Sequence, residues 1–324
     1  MLRSGNLREQ FSWLLRIGFV SSIGFSTDCS RIHSKAQRHR CEICHRWNCD
    51  SFFGVVHPNT GMDARHFVYR PHPALRRYVR EIISIRTERD RTQILLPETT
   101  LTMVLRQSGR TFLGERALPF AMISGLQKNA RVIRHGAGSS LVIVRFTETG
   151  AAALLHDRVD QLYTHTAPLD SMLPQQEINR VQDVLAETEN PEKRLLAVEN
   201  FLLARMRQRY EVPASVEAAA KIIRNSGGRH SIALIARTVG MSQSALERNF
   251  RSIVGTSPKM LSRLARLQNV CRLWDGKKTL AEIAAEAGYS DQPHMNRDFR
   301  FFSNTSPEDF FRSGAPRNLP TFYK

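Results

Sequence analysis

The chain has 324 residues, 41% of them hydrophobic and 8% aromatic, which suffices for packed cores and excludes wholesale disorder. Lys and Arg number 47 against 30 Asp and Glu, and the resulting net charge of +17 points to a polyanionic partner, either nucleic acid or an anionic membrane surface. No apolar run approaches the roughly 18 residues of a membrane helix, and the odd count of 5 cysteines argues against a disulfide framework.

Residues 1–61 carry no period of either kind and read as an irregular segment. Trp13 to Phe25 is interrupted by Arg16 and lacks a small-residue cleavage pattern, so no signal peptide is expected and the location expected is cytoplasmic. Cys41-Glu42-Ile43-Cys44-His45 has c-type haem attachment spacing, and Cys49 with His33 or His39 could complete a zinc site. The second Cys-x2-Cys pair is missing, so the expectation is no metal and no cofactor, with a metal or thiol protein built on Cys41, Cys44 and Cys49 as the alternative. Met62 offers an in-frame start, which would make the preceding segment the product of a mis-set start codon rather than a domain.

From Tyr69 the pattern becomes that of a small antiparallel β domain, taken to span residues 62–212 together with trailing helices. Arg80 to Arg86, Thr99 to Leu105, Ala121 to Gly125, Arg131 to Arg134 and Leu141 to Phe146 are short runs rich in Ile, Val, Leu and Thr. Gly and Pro punctuate them, and Gly136-Ala137-Gly138 reads as a hairpin turn. After Gly150 the period turns helical. Gln175 to Glu187 places Ile178, Val181, Val184 and Leu185 on one face, and a second helix is expected over Pro191 to Arg209, opened by proline at its first position. The domain shows no nucleophile–base pair, no phosphate-binding glycine loop and no paired-carboxylate motif, so no enzyme is expected.

Residues 213–324 read as seven helices and no strands, giving an α+β chain overall. This segment holds 17 basic and 9 acidic residues, the largest excess of the three. It also contains a repeat. Ile232-Ala233-Leu234-Ile235-Ala236, Val239-Gly240-Met241-Ser242, Leu246, Arg248, Phe250 and Gly255-Thr256-Ser257-Pro258 return as Leu280-Ala281-Glu282-Ile283-Ala284, Ala287-Gly288-Tyr289-Ser290, Met295, Arg297, Phe299 and Asn304-Thr305-Ser306-Pro307. Each copy has a short helix, a glycine that turns the chain and a serine placed to cap a second helix, which is the helix-turn-helix arrangement. Thr279 and Glu282 have capping-box spacing. Lys259 to Trp274 reads as one connecting helix with Leu261, Leu264, Leu267 and Val270 on its apolar side.

These motifs, with Arg263-x-x-Arg266-Leu267 and Tyr289-Ser290-Asp291-Gln292, resemble the DNA-binding domain of the AraC/XylS family of bacterial transcription regulators over residues 213–312. Residues 66–210 resemble the family's β-rich sensor domain more loosely, through Tyr69-Arg70-Pro71-His72-Pro73, Leu95-Leu96-Pro97 and Phe146-x-x-x-Gly150-Ala151. The resemblance implies a sequence-specific regulator that binds double-stranded DNA and reads adjacent major grooves with two recognition helices. By it Gln243, Ser244, Glu247 and Arg248 face bases from the first helix, and Gln292, His294 and Arg297 from the second. Guanidinium suits guanine and Gln292 suits adenine; Glu247 either accepts from cytosine or pairs with Arg251. Pro293 offers neither a polar side chain nor an N–H. Lys259, Arg263 and Arg266, with Lys277 and Lys278, are candidates for phosphate contacts. The resemblance also implies RNA polymerase as a partner, and leaves open a small-molecule effector and a homodimer.

Overall fold

The computed structural model describes residues 64–155 and 158–312. The cysteine cluster and Met62 lie outside them. The β part holds ten strands: β1 (Ala64–Tyr69), β2 (Val79–Thr87), β3 (Arg91–Leu95), β4 (Thr102–Ser108), β5 (Thr111–Leu113), β6 (Arg116–Ala117), β7 (Ala121–Ser124), β8 (Arg131–His135), β9 (Ser140–Phe146) and β10 (Thr166–Pro168). They form two antiparallel sheets, ordered β1-β2-β9-β4-β7-β10 and β3-β8-β5-β6. Between the sheets lies a cavity of about 220 Å³.

All five expected strands exist, but their connections differ from the local reading. β8 pairs with β3 and β5, whereas β9 pairs with β2 and β4. The chain through Gly136–Gly138 therefore crosses from one sheet to the other and is not a hairpin turn. Thr99 and Thr100 belong to the connection ahead of β4, which starts at Thr102.

The helices are α1 (Gly150–Leu155), α2 (Gln175–Ala186), α3 (Pro191–Met206), α4 (Ala214–Asn225), α5 (Ile232–Thr238), α6 (Gln243–Val254), α7 (Pro258–Leu273), α8 (Leu280–Ala287), α9 (Gln292–Ser303) and α10 (Pro307–Arg312). α2 buries Ile178, Val181 and Leu185 as its period requires, although Val184 is 46% exposed. α3 is opened by Asn190, whose side chain accepts from Glu192 N and Lys193 N ahead of Pro191. Its Arg194 is buried and donates to Thr188 O and Ser140 Oγ, which fastens α3 to β9.

The β part and the helices beyond residue 213 share one contiguous apolar core. It runs from Leu75, Ile82 and Phe146 through Leu195 and Val198 to Val216, Phe250, Leu264 and Phe299. Polar links reinforce the seam: Glu148, 3% exposed on its side chain, accepts from Arg80 on β2 and from Arg224 on α4, the latter at 3.0 Å. Arg77 and Glu217 pair at 2.6 Å. Two further contacts reach the recognition helices. Val159 N donates to Ser252 O near the end of α6 at 3.0 Å, and Ala130 N donates to Phe302 O near the end of α9 at 2.6 Å.

Candidate nucleic-acid interface

In the first repeat Ser231 caps α5, accepting from Leu234 N, and Gly240 turns the chain at φ +68°. Ser242 then caps α6 by accepting from Ala245 N at 3.2 Å. In the second, Thr279 and Glu282 close a capping box on α8 and Gly288 turns at φ +84°. Here the expected serine is not the cap. Asp291, the residue that lengthens the second copy by one, accepts from His294 N at 2.6 Å, and Ser290 donates to Asp291 at 2.9 Å. Those two donors hold the Asp291 carboxyl below its ordinary range. A carboxylate at this end also complements the helix dipole of α9. Both helices end in a left-handed residue, Gly255 at φ +80° and Asn304 at φ +62°, so asparagine supplies the turn that glycine supplies in the first copy.

The first turns of α6 and α9 carry the candidate base-reading side chains. Gln243, Ser244, Glu247 and Arg248 are exposed on α6; on α9 Arg297 is exposed while Gln292 and His294 are half-buried. Among the described residues neither Arg248 nor Arg297 enters an ion pair, so both guanidinium groups are available. Glu247 pairs with Arg251 at 2.7 Å, the helical arrangement expected for residues four apart. His294 accepts or donates at Ser290 Oγ and packs edge-on against Tyr289.

The cations grouped as phosphate contacts separate into two kinds. Lys259 and Lys277 are exposed. Lys278 pairs with Glu286 at 2.6 Å. Arg263 and Arg266 are committed inside the fold. Arg263 pairs with Asp298 of α9 at 2.8 Å and lies over the rings of Phe301 and Phe302, 4.5 and 5.1 Å from their centroids. Arg266 lies 5.2 Å over the Tyr289 ring. Asp298, 6% exposed, is the residue that sequence reading missed: its role rests on a partner 35 positions away. α7 joins the two repeats with Leu261, Leu264, Leu267 and Val270 buried, as the spacing predicts.

The family model of a helix-turn-helix domain matches residues 235–313, a span that takes in both recognition helices. Residues 235–313 thus form an AraC-type helix-turn-helix domain. The chain is accordingly a DNA-binding regulator of transcription. A second family model, a domain of unknown function designated DUF6597, matches residues 67–168, most of the two-sheet part. No curated protein sequence matches. Among solved structures, ToxT from Vibrio cholerae is 13% identical, with 77% of this chain and 98% of that one covered at a TM-score of 0.39. The C-terminal domain of AraT, a response regulator from Geobacillus stearothermophilus, is 20% identical over 32% of this chain and 88% of its own, at a TM-score of 0.31. A transcriptional regulator from Chromobacterium violaceum, of the proteins containing an AraC-type DNA-binding domain, is 26% identical over 33% and 94%, at 0.27.

The metal alternative falls outside the described residues, because Cys41, Cys44 and Cys49 all do. Among the described residues no group of His, Cys, Asp or Glu could hold a metal ion, and no helix is long and apolar enough to cross a membrane. Cys271 is buried on α7, and burial pushes its thiol up to about 12. Two histidines of the β part make structural contacts. His72 accepts from Ala74 N, and buried His135 bonds Thr111 and Gln93 while burial, aided by Arg91 and Arg106, lowers it to about 4.

Proposed function

We propose that this regulator is sequence-specific, reading two adjacent major grooves on one face of a duplex with α6 and α9, and that its two-sheet part modulates this binding. The supporting observation is the repeated unit itself. Two capped recognition helices, joined by one buried connecting helix, each present an arginine without an ion-pair partner among the described residues, at the same position of the repeat. Arg248 and Arg297 take guanine O6 and N7, Gln243 and Gln292 supply amide contacts, and Ser244 and His294 supply single hydrogen bonds. Glu247 holds Arg251 or accepts from cytosine. Lys259 meets phosphate, whereas Arg263 and Arg266 orient the second unit from inside the fold. In this reading the chain works in the cytoplasm without catalytic chemistry, with RNA polymerase as its partner at the promoter.

Selection of binding sites from random duplexes, followed by footprinting on the selected site, tests this. The expected result is two protected half-sites about one helical turn, roughly 34 Å, apart. A single protected groove, or no enrichment of any sequence, overturns it.

A further inference from the structure

The repeat reaches further upstream than the two helix-turn-helix cores. Gly228-Arg229-His230-Ser231 leads into α5, and Gly276-Lys277-Lys278-Thr279 leads into α8 at the spacing that separates Gly240 from Gly288. Both leading glycines are left-handed, at φ +76° and +80°, and Ser231 and Thr279 each cap the helix that follows. Each unit therefore carries two side chains able to hold positive charge just ahead of its first helix.

The two loops are mounted differently. Around Gly276 there is open space, and that loop closes on itself, with Asp275 Oδ1 accepting from Lys277 N and Lys278 N at 2.8 and 3.0 Å. Its Lys278 is committed to Glu286. The first loop is instead wedged between α7 and the second unit. A Cβ at Gly228 would come to 2.1 Å from Ser262 O, and Asn269 Nδ2 lies 3.4 Å from Gly227 O. Arg229 then crosses to the other unit. A Cβ at Gly288 would fall 2.3 Å from its Cγ and 2.8 Å from its Cδ, so the aliphatic stem of Arg229 lies against the turn of the second helix-turn-helix.

That packing carries charge to a particular place. Gly288 immediately precedes Tyr289, Ser290 and the Asp291 cap, at the end of α9 that enters the major groove in the reading above. Arg229 is exposed, and among the described residues its guanidinium enters no ion pair. The one bond of its side chain there, from Nε to Ser226 O at 3.0 Å, stays inside its own loop and leaves both Nη groups for an outside acceptor. α9 itself fills the groove, so a guanidinium beside its first turn meets the groove's wall, which is phosphate. The seam between the units lies over the backbone that separates the two grooves they read.

We propose that Arg229 contacts a phosphate on the stretch of backbone between the two half-sites, next to the one read by α9. The leading loop of the first unit thus serves the half-site of the second. This rests on the reading of α6 and α9 in adjacent major grooves, and adds a contact made across the units.

Salt-dependent binding of the full chain to its selected duplex, with ethylation interference to locate the phosphates that matter, tests the proposal. Arg229→Met keeps an apolar stem over Gly288 and removes the charge. It should weaken binding about five- to tenfold at physiological salt and reduce the salt slope by about one. One ethylation-sensitive phosphate between the half-sites should become insensitive. Arg229→Lys should retain both the slope and that phosphate. Arg229→Gln removes the charge with a different side chain, and it decides the matter if Arg229→Met does not fold. An unchanged slope in the uncharged variants, the result of a stem that merely packs, overturns the proposal. So does a lost phosphate on the outer flank of the α6 half-site. Two protected half-sites with no effect of Arg229→Met remove this contact alone, whereas a single half-site in the unchanged chain overturns the reading it rests on and the contact with it.

Discussion

The two helix-turn-helix units carry nearly the same local signals, yet they are held differently. α6 touches the two-sheet part through a backbone bond from Val159 to Ser252, with the Gly255 turn packed close beside it. α9 is gripped from two sides: Ala130 and Asn129 bond its last turn, and Arg263 of α7 pairs with Asp298 on its inner face. The first unit has Asn249 where the second has Asp298, and no arginine of α7 reaches it through an ion pair. Duplication of a motif therefore did not duplicate its mounting. The second unit is the one whose orientation depends on charge pairing and on the β part.

The sharpest way to break this comparison is Asp298→Ala. It leaves Arg263 largely buried without its carboxylate, and breaking such a pair costs about 3 kcal/mol, measurable by urea denaturation. The footprint of this variant should lose the half-site read by α9 before the one read by α6. Equal loss of both would remove the asymmetry. Arg248→Ala and Arg297→Ala should each cost about 1–3 kcal/mol of binding and relax preference within one half-site only. Selected sequences that stay unchanged in either variant would deny that arginine a base contact.

The C-caps give a smaller contrast. A side chain at Gly255 would bring its Cβ to 3.0 Å from Val159 O, so Gly255→Asn should cost about 1 kcal/mol although asparagine tolerates the left-handed backbone. Asn304→Gly relaxes the same geometry and should change melting by little. The reverse order would show that backbone conformation, not the approach of Val159, sets the demand.

Acid sharpens the comparison through His135, whose folded pKa near 4 lies below the ordinary 6.5. The unfolded chain takes up the proton first as pH falls, so this contribution to stability is complete above 6.5 and lost progressively down to 4. Stability measured by urea denaturation should therefore depend less on pH between 6.5 and 4 in His135→Gln than in the unchanged chain. Lys259→Ala should have the least specific effect, weakening all duplexes alike and reducing the salt slope by about one.

What was legible in the sequence follows how local each signal is. Glycine turns, Ser242, Thr279 and the apolar face of α7 lie within a few residues of what they determine, and the seven terminal helices were readable from them. β3, β5 and β6 were not: Arg91-Thr92-Gln93-Ile94-Leu95 turns polar side chains toward a cavity, so it lacks the apolar alternation of a strand on a closed core. Gly136–Gly138 was misread because sheet membership depends on pairing with strands far away in the chain. Arg263 and Arg266 were grouped with the phosphate contacts because a basic residue on a helix announces its charge but not its partner. Asp291 displaced Ser290 as cap because one inserted residue moved the start of α9.

The apolar core that runs unbroken from Phe146 to Phe299 bears on how such a chain can be recombined. A crossover near residue 213 would divide this cluster, parting Leu75, Ile82 and Phe146 from Val216, Phe250 and Leu264 and leaving apolar surface on both products. Grafting the helical half onto a foreign β half would require the new partner to match those side chains in shape as well as polarity. Inheritance should then preserve residues 64–312 as one unit, with diversity collecting at the exposed positions of α6 and α9, where no neighbour has to change in step.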